Sequence, residues 1–326
     1  MGQHRLRWRA MSDLERAVRA VVRDCLGVRG GEDVLVVCNP ATRALGERLR
    51  DEAQRTGADA VLAIMGEGGS HGAEPPDPVA AAMLKANVVL APTVQSLSHT
   101  AARKAATDAG ARIATLPGVT EEMLARAMSA DIDGLRRRGH ALAEVLTRGS
   151  EARITCPHGS DLRLGLQGRA GIPDAGELSE PGTFGNLPCG EGFIAPLEHE
   201  GDGRLIIDGT IASLGTVKEP VKLTIESGAL ISATGEEGER LMELLTVHGP
   251  EAMHVAELGI GTNEKAILSG ELLEDEKILG TVHVAFGASA GIGGTIQVPV
   301  HLDCVLMNPD LVVDGEPVVR GGELLV

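Results

Sequence analysis

Apolar and polar positions along this chain follow two different periods, and the change comes near residue 150. Leu14, Val18, Val21, Val22 and Cys25 recur at helical spacing behind Ser12 and Glu15, a capping-box pair. Gly30-Gly31 ends that helix, and Asp33–Cys38 reads as a strand. The alternation then repeats. Helices are predicted over 42–55, 79–85, 99–109, 120–128 and 132–147, with strands over 60–65, 87–91 and 111–115 between the first four. Helices alternating with short apolar runs predict a parallel sheet covered on both faces.

After Gly149 the period shortens to two. Residues 153–156 and 161–166 read as a hairpin around His158-Gly159-Ser160, and a Pro- and Gly-rich stretch follows from Gly171 to Gly192. Residues 204–211, 221–226 and 229–233 read as mainly antiparallel strands, with one helix over 236–247. The expected fold is α/β: a parallel-sheet α/β domain over 1–150, then a β-rich α+β domain over 151–326. Ordered structure is expected to begin near Met11, and no internal repeat is found.

Three β-type runs, expected to come last, break the apolar rule. Val255–Gly261 contains Glu257, Thr281–Gly287 contains His283, and Val298–Val305 contains His301 and Asp303. A charge on a half-buried strand is costly unless it is paired or bound to a metal. Side chains two apart share a face, so His301 and Asp303 point together and Cys304 points away. A lone buried histidine ordinarily donates to a backbone carbonyl. Four ionisable residues in three neighbouring runs are instead the raw material of a metal centre. Imidazole with carboxylate and no thiolate suits a divalent first-row metal, and the donor set admits Zn, Mn, Co or Fe.

Two loops invite other chemistry. Gly66–Gly72 lacks the ending of a P-loop, does not match G-x-G-x-x-G, and carries Glu67, which would repel phosphate; it reads as a flexible loop. Asn186–Pro196 holds Glu191 between prolines and glycines, the kind of rigid loop where chemistry often sits.

Charge narrows the partners. Among 326 residues, 46 are acidic and 30 are Lys or Arg, a net −16, so a phosphate backbone would be repelled. With no Tyr, three Phe and one Trp, the chain also lacks base-stacking platforms. The basic first ten residues hold no apolar core of a signal peptide, and no run is long enough to span a membrane. Cys25, Cys38, Cys156, Cys189 and Cys304 are scattered and odd in number, as expected for reduced thiols in a cytoplasmic protein.

The segments Asn186–Pro196, Glu257–Asn263, Asp275–Lys277 with Gly280–Gly287, and Gly293-Gly294 with His301-Leu-Asp303 resemble, in order, the thermophilic metallo-aminopeptidase family, aminopeptidase T. Leu116–Met123 is similar to it more weakly. The resemblance implies an α/β first domain, a second domain holding two divalent metal ions, and a homodimer. It also implies ligands at Glu191, Glu257, His283, His301 and Asp303. Glu257 and Asp303 are the candidate bridges, and Glu191 is a ligand or general base. The family carries a Tyr seven positions after the T-x-H histidine; here that position is Ala290. The reading is a metal-dependent hydrolase of small amides or short peptides, with ordinary dipeptides as poor substrates and room for a substrate group at Ala290. Two alternatives stand beside it. One is a ring-cleaving non-haem iron enzyme like 2,5-dihydroxypyridine dioxygenase, which shares the scaffold but has a His where Glu257 stands here. The other is a non-catalytic small-molecule binder.

Overall fold

In the computed structural model the described residues are 11–69 and 71–326, so the basic segment Met1–Ala10 lies outside them. The first helix, Asp13–Arg19, starts at the capping box: the Ser12 hydroxyl accepts the Glu15 N–H at 3.2 Å, and the Glu15 carboxylate accepts the Ser12 N–H at 2.7 Å. Ser12→Ala is expected to cost about 1 kcal/mol, the usual value of such a cap. A fall in the denaturation midpoint checks it.

Strands Asp59–Ile64, Asp33–Cys38, Val88–Ala91, Arg112–Thr115 and Phe184–Asn186 form a parallel sheet in that order. Alternation along it is strict. Val34, Val36, Val88 and Leu90 pack with Leu45 and Leu49 on one face, while Leu35, Val37, Val89 and Ala91 pack with Met83 and Ala106 on the other. The fifth strand comes from the Pro- and Gly-rich stretch, in which no strand was expected. Its three residues are too few to show a period, and pairing with Arg112–Thr115 makes it a strand.

The remainder is two sheets packed face to face. An eight-stranded sheet runs Ala229–Ala233, Val221–Glu226, Gly201–Ile207, Asp161–Gly165, Glu151–Thr155, Asp310–Val313, Glu316–Arg320, Glu323–Leu324. A seven-stranded sheet runs Gly215–Thr216, Thr210–Ile211, His301–Leu306, Val282–Gly287, Val255–Gly261, Glu191–Ile194, Ile172–Asp174. Between them Leu162, Leu205 and Leu223 meet Leu258, Val284 and Phe286 in one apolar core. The ionisable runs are therefore not the last strands: residues 310–324 add three more to the eight-stranded sheet. No helix among the described residues is long and apolar enough to cross a membrane.

Specific bonds join the parallel-sheet layer to the sandwich. Arg126 grips the buried Glu274 with Nε at 2.8 Å and Nη2 at 2.7 Å. The Asn263 amide donates to the carbonyls of Ala127 and Cys189 at 3.1 and 3.0 Å. Asn263 thus ties the turn before Glu191 to a helix of the first layer.

Candidate metal centre

Four neighbouring strands of the seven-stranded sheet carry the ionisable residues on one face. Antiparallel pairing sets Glu191 beside Gly261, His283 beside Gly259, Asp303 beside Ala285, Ala285 beside Glu257, and His301 beside Gly287. Every position between the ionisable ones is glycine or alanine, which leaves room for their side chains. The clearest case is Gly259, where a Cβ would lie 2.0 Å from His283 Nε2. On the opposite face Leu258, Ile260, Val284, Leu302 and Cys304 enter the sandwich core, so Cys304 points away from the His301–Asp303 pair. A bulge between Val255 and Glu257 shifts the register, so that Val255 stays in the core while Glu257 joins the polar face.

The five candidate ligands converge. His283 Nε2 lies 3.2 Å from Glu191 Oε2 and 3.4 Å from Glu257 Oε1; His301 Nε2 lies 3.3 Å from Glu257 Oε2 and 3.6 Å from Asp303 Oδ1. Two sets of three donors result, Glu191–Glu257–His283 and Glu257–His301–Asp303, sharing Glu257. Glu276 with His283 and Asp303 makes a third. Atoms bound to one ion at about 2.0–2.2 Å stand roughly 3–3.6 Å apart, the spacing seen here.

Charge makes the same point. Burial pushes the Glu257 carboxyl up, but the two facing imidazoles outweigh it and bring it down to about 2. His283 and His301 are held well above the usual imidazole range, because the surrounding carboxylates overcome the opposing effect of burial. Burial lifts Asp174 to about 7 and Glu276 to about 8, only partly offset by Lys277. His283, His301 and Lys277 thus offset the ionised Glu191, Glu257 and Asp303; were both imidazoles neutral, as ligands must be, a bound cation would take over their positive charge. Glu191 Oε2 is buried without a hydrogen-bond partner and faces this pocket. A divalent cation fits that donor set.

The site opens on a cavity of about 1290 Å³ between the two layers. Turns following the parallel strands supply Thr42, Ser98, His99 and Thr120, and the sandwich supplies Glu191, Glu257, His301 and Asp303. Cavities of open α/β sheets lie at this edge of the strands. His99 stacks on His301 with ring centroids 5.7 Å apart, and burial lowers its pKa to about 4. The Gly66–Gly72 loop, expected to be flexible, is bonded at Glu67, which accepts the Ala41 N–H at 3.1 Å, and at Gly72, which donates to the Ser96 carbonyl at 2.9 Å. Those partners are distant in sequence, so local composition could not reveal them. Ala290 lies in the short turn Ala290–Ile292, and it is Ala288, Gly291 and Ile292 that line the cavity. The room expected at Ala290 is thus not part of the cavity wall.

A family model described as NicX: 2,5-dihydroxypyridine 5,6-dioxygenase matches residues 14–326. The chain belongs to the NicX family. Among solved structures, 2,5-dihydroxypyridine dioxygenase from Pseudomonas putida superposes with a TM-score of 0.83 at 21% identity, over 97% of this chain and 98% of that one. AmpT from Thermus thermophilus gives 0.71 at 20% identity, over 96% and 99%. At these identities the likeness is one of fold. Aminopeptidase PepS of Streptococcus thermophilus is 24% identical over 237 residues, 64% of this chain. The match spans 56% of that protein's own length. The aminopeptidase resemblance is therefore distant, and the family spanning nearly the whole chain is the one read second from the sequence.

Three residues of this NicX-family site went unassigned in the sequence. Lys277 is 1% exposed, with Nζ 2.5 Å from Glu191 Oε1, 2.7 Å from Glu276 Oε1 and 3.6 Å from Asp174 Oδ2. Asp174 sits in the Pro- and Gly-rich stretch, and Glu276-Lys277 in a run of charges that reads as solvated surface. The one available signal was Asp275–Lys277 falling inside a segment that resembles the aminopeptidases.

Proposed function

We propose that this NicX-family chain is a metal-dependent hydrolase of small amides, using two divalent ions. The observation that carries the reading is the Glu257 carboxylate, which turns one oxygen to His283 and the other to His301. The two imidazoles thereby fall into different donor sets, unlike the facial triad of non-haem iron oxygenases, in which two histidines and one carboxylate hold a single ion. Divalent ions held there would polarise a carbonyl and lower the pKa of water. Glu257 would join the two sets, and Asp303, which belongs with both histidines, would support it. Glu191 Oε2, which faces His283 Nε2 at 3.2 Å, would serve as a ligand or as an acceptor for the proton lost by attacking water, while Lys277 fixes the other oxygen. No Lys or Arg lines the cavity among the described residues, so a substrate carboxylate would meet no lysine or arginine side chain there. Small amides without a carboxylate are favoured over dipeptides.

The family match, together with the higher structural likeness to the P. putida enzyme, favours a second reading: oxygen-dependent ring cleavage. Metal-stripped protein reloaded separately with Zn, Mn, Co and Fe separates the two. Expected is amide hydrolysis that returns with a divalent ion and proceeds equally under argon, with amino-acid amides turned over faster than dipeptides. Loss of 2,5-dihydroxypyridine in air with iron, and no amide cleavage with any metal, would replace the hydrolase reading with the second.

A further inference from the structure

The two halves of the centre are unequal, and this inference rests on the two-ion reading above. Lys277 touches one half only: its ammonium bonds Glu191 and Glu276, each of which stands in a donor set with His283. It also occupies Glu191 Oε1, leaving the single oxygen Oε2 for His283. The histidines differ as well. His301 Nδ1 lies 2.7 Å from the Ala288 carbonyl and donates to it, which fixes the tautomer and presents the Nε2 lone pair. His283 Nδ1 is buried with no partner. Ligating histidines are usually braced in the way His301 is, and such bracing raises affinity. A fixed ammonium among the donors has the opposite effect, since it bonds two of the carboxylates, offsets one unit of their charge and repels an incoming dication.

We propose that Lys277 is a positioning residue that makes the His283 half the weaker, exchangeable half of the centre, with the His301 half holding its ion tightly. Ions then load in order, His301 half first.

The test is titration of chelator-treated, full-length protein with Co²⁺, read from its visible absorption and from total metal by mass spectrometry. Two steps are expected, with dissociation constants at least about tenfold apart, the gain that bracing of a ligand typically brings. His283→Ala should remove the weaker step and His301→Ala the tighter one. Lys277→Met should tighten the weaker step about tenfold or more, whereas Lys277→Arg, which keeps the charge, should leave it weak. Equal constants, the tighter step surviving His301→Ala, or an unchanged second step in folded Lys277→Met would each overturn the proposal. If Lys277→Met does not fold, the two histidine variants decide it. A single ion per chain in the unmodified protein would refute the two-ion reading itself, a result distinct from two equal steps.

Discussion

Alanine at His301 or Asp303 is expected to strip the tighter ion and lower turnover on the order of 10³-fold or more. That is the scale of losing a metal's several kcal/mol of transition-state stabilisation. Both side chains lie on the polar face of the strand His301–Leu306, and the Glu257 carboxylate is within reach of His301. Cys304, one residue on, packs in the sandwich core instead. Cys304→Ser should therefore cost about 1–3 kcal/mol of stability, the penalty for burying a hydroxyl, and leave metal content unchanged. Metal analysis beside a denaturation curve distinguishes the two kinds of damage. Equal metal loss in the serine variant would mean that this strand does not present its faces as described.

Gly259→Ala is expected to be nearly as severe in activity while sparing the fold. An added Cβ would stand 2.0 Å from His283 Nε2 and 2.3 Å from Cε1, so the imidazole must leave its place. Gly259 is not among the positive-φ glycines, so its backbone accepts alanine without strain. The damage is confined to the ring. Loss of one bound ion and a fall in turnover on the order of 10²-fold or more are expected, the scale of removing one positioned catalytic group, with little change in the circular dichroism spectrum. Gly261→Ala is the contrast: its Cβ would meet the Ile278 carbonyl oxygen at 2.0 Å, so backbone must move and folding should suffer. Full metal binding by Gly259→Ala would remove His283 from the centre.

The parallel layer was legible because each element is long enough to repeat its period and glycines mark the breaks, as in Asp33–Cys38 and the helix Arg43–Arg55. His283, His301 and Asp303 stood out because they interrupt runs of Val, Leu and Phe. Lys277, Glu276 and Asp174 did not, because each looks ordinary beside its sequence neighbours. Their meaning lies in contacts made on folding: Lys277 meets Asp174, Glu276 and Glu191, the last 86 residues away. The same holds for Phe184–Asn186, which is a strand only because Arg112–Thr115 lies beside it. Periodicity reports which side of an element faces inward; it carries no information about which inward-facing charges meet.

The candidate donors Glu191, Glu257, His283, His301 and Asp303 occupy four strands that become neighbours only when the sheet closes, so an unfolded chain would offer an ion no comparable grip. Binding energy is then folding energy. At a free ion concentration about a hundredfold above its dissociation constant, the native state gains roughly 2.7 kcal/mol by mass action. In a metal-starved cell the same chain would lose that margin, and its lifetime against proteases would track the metal supply.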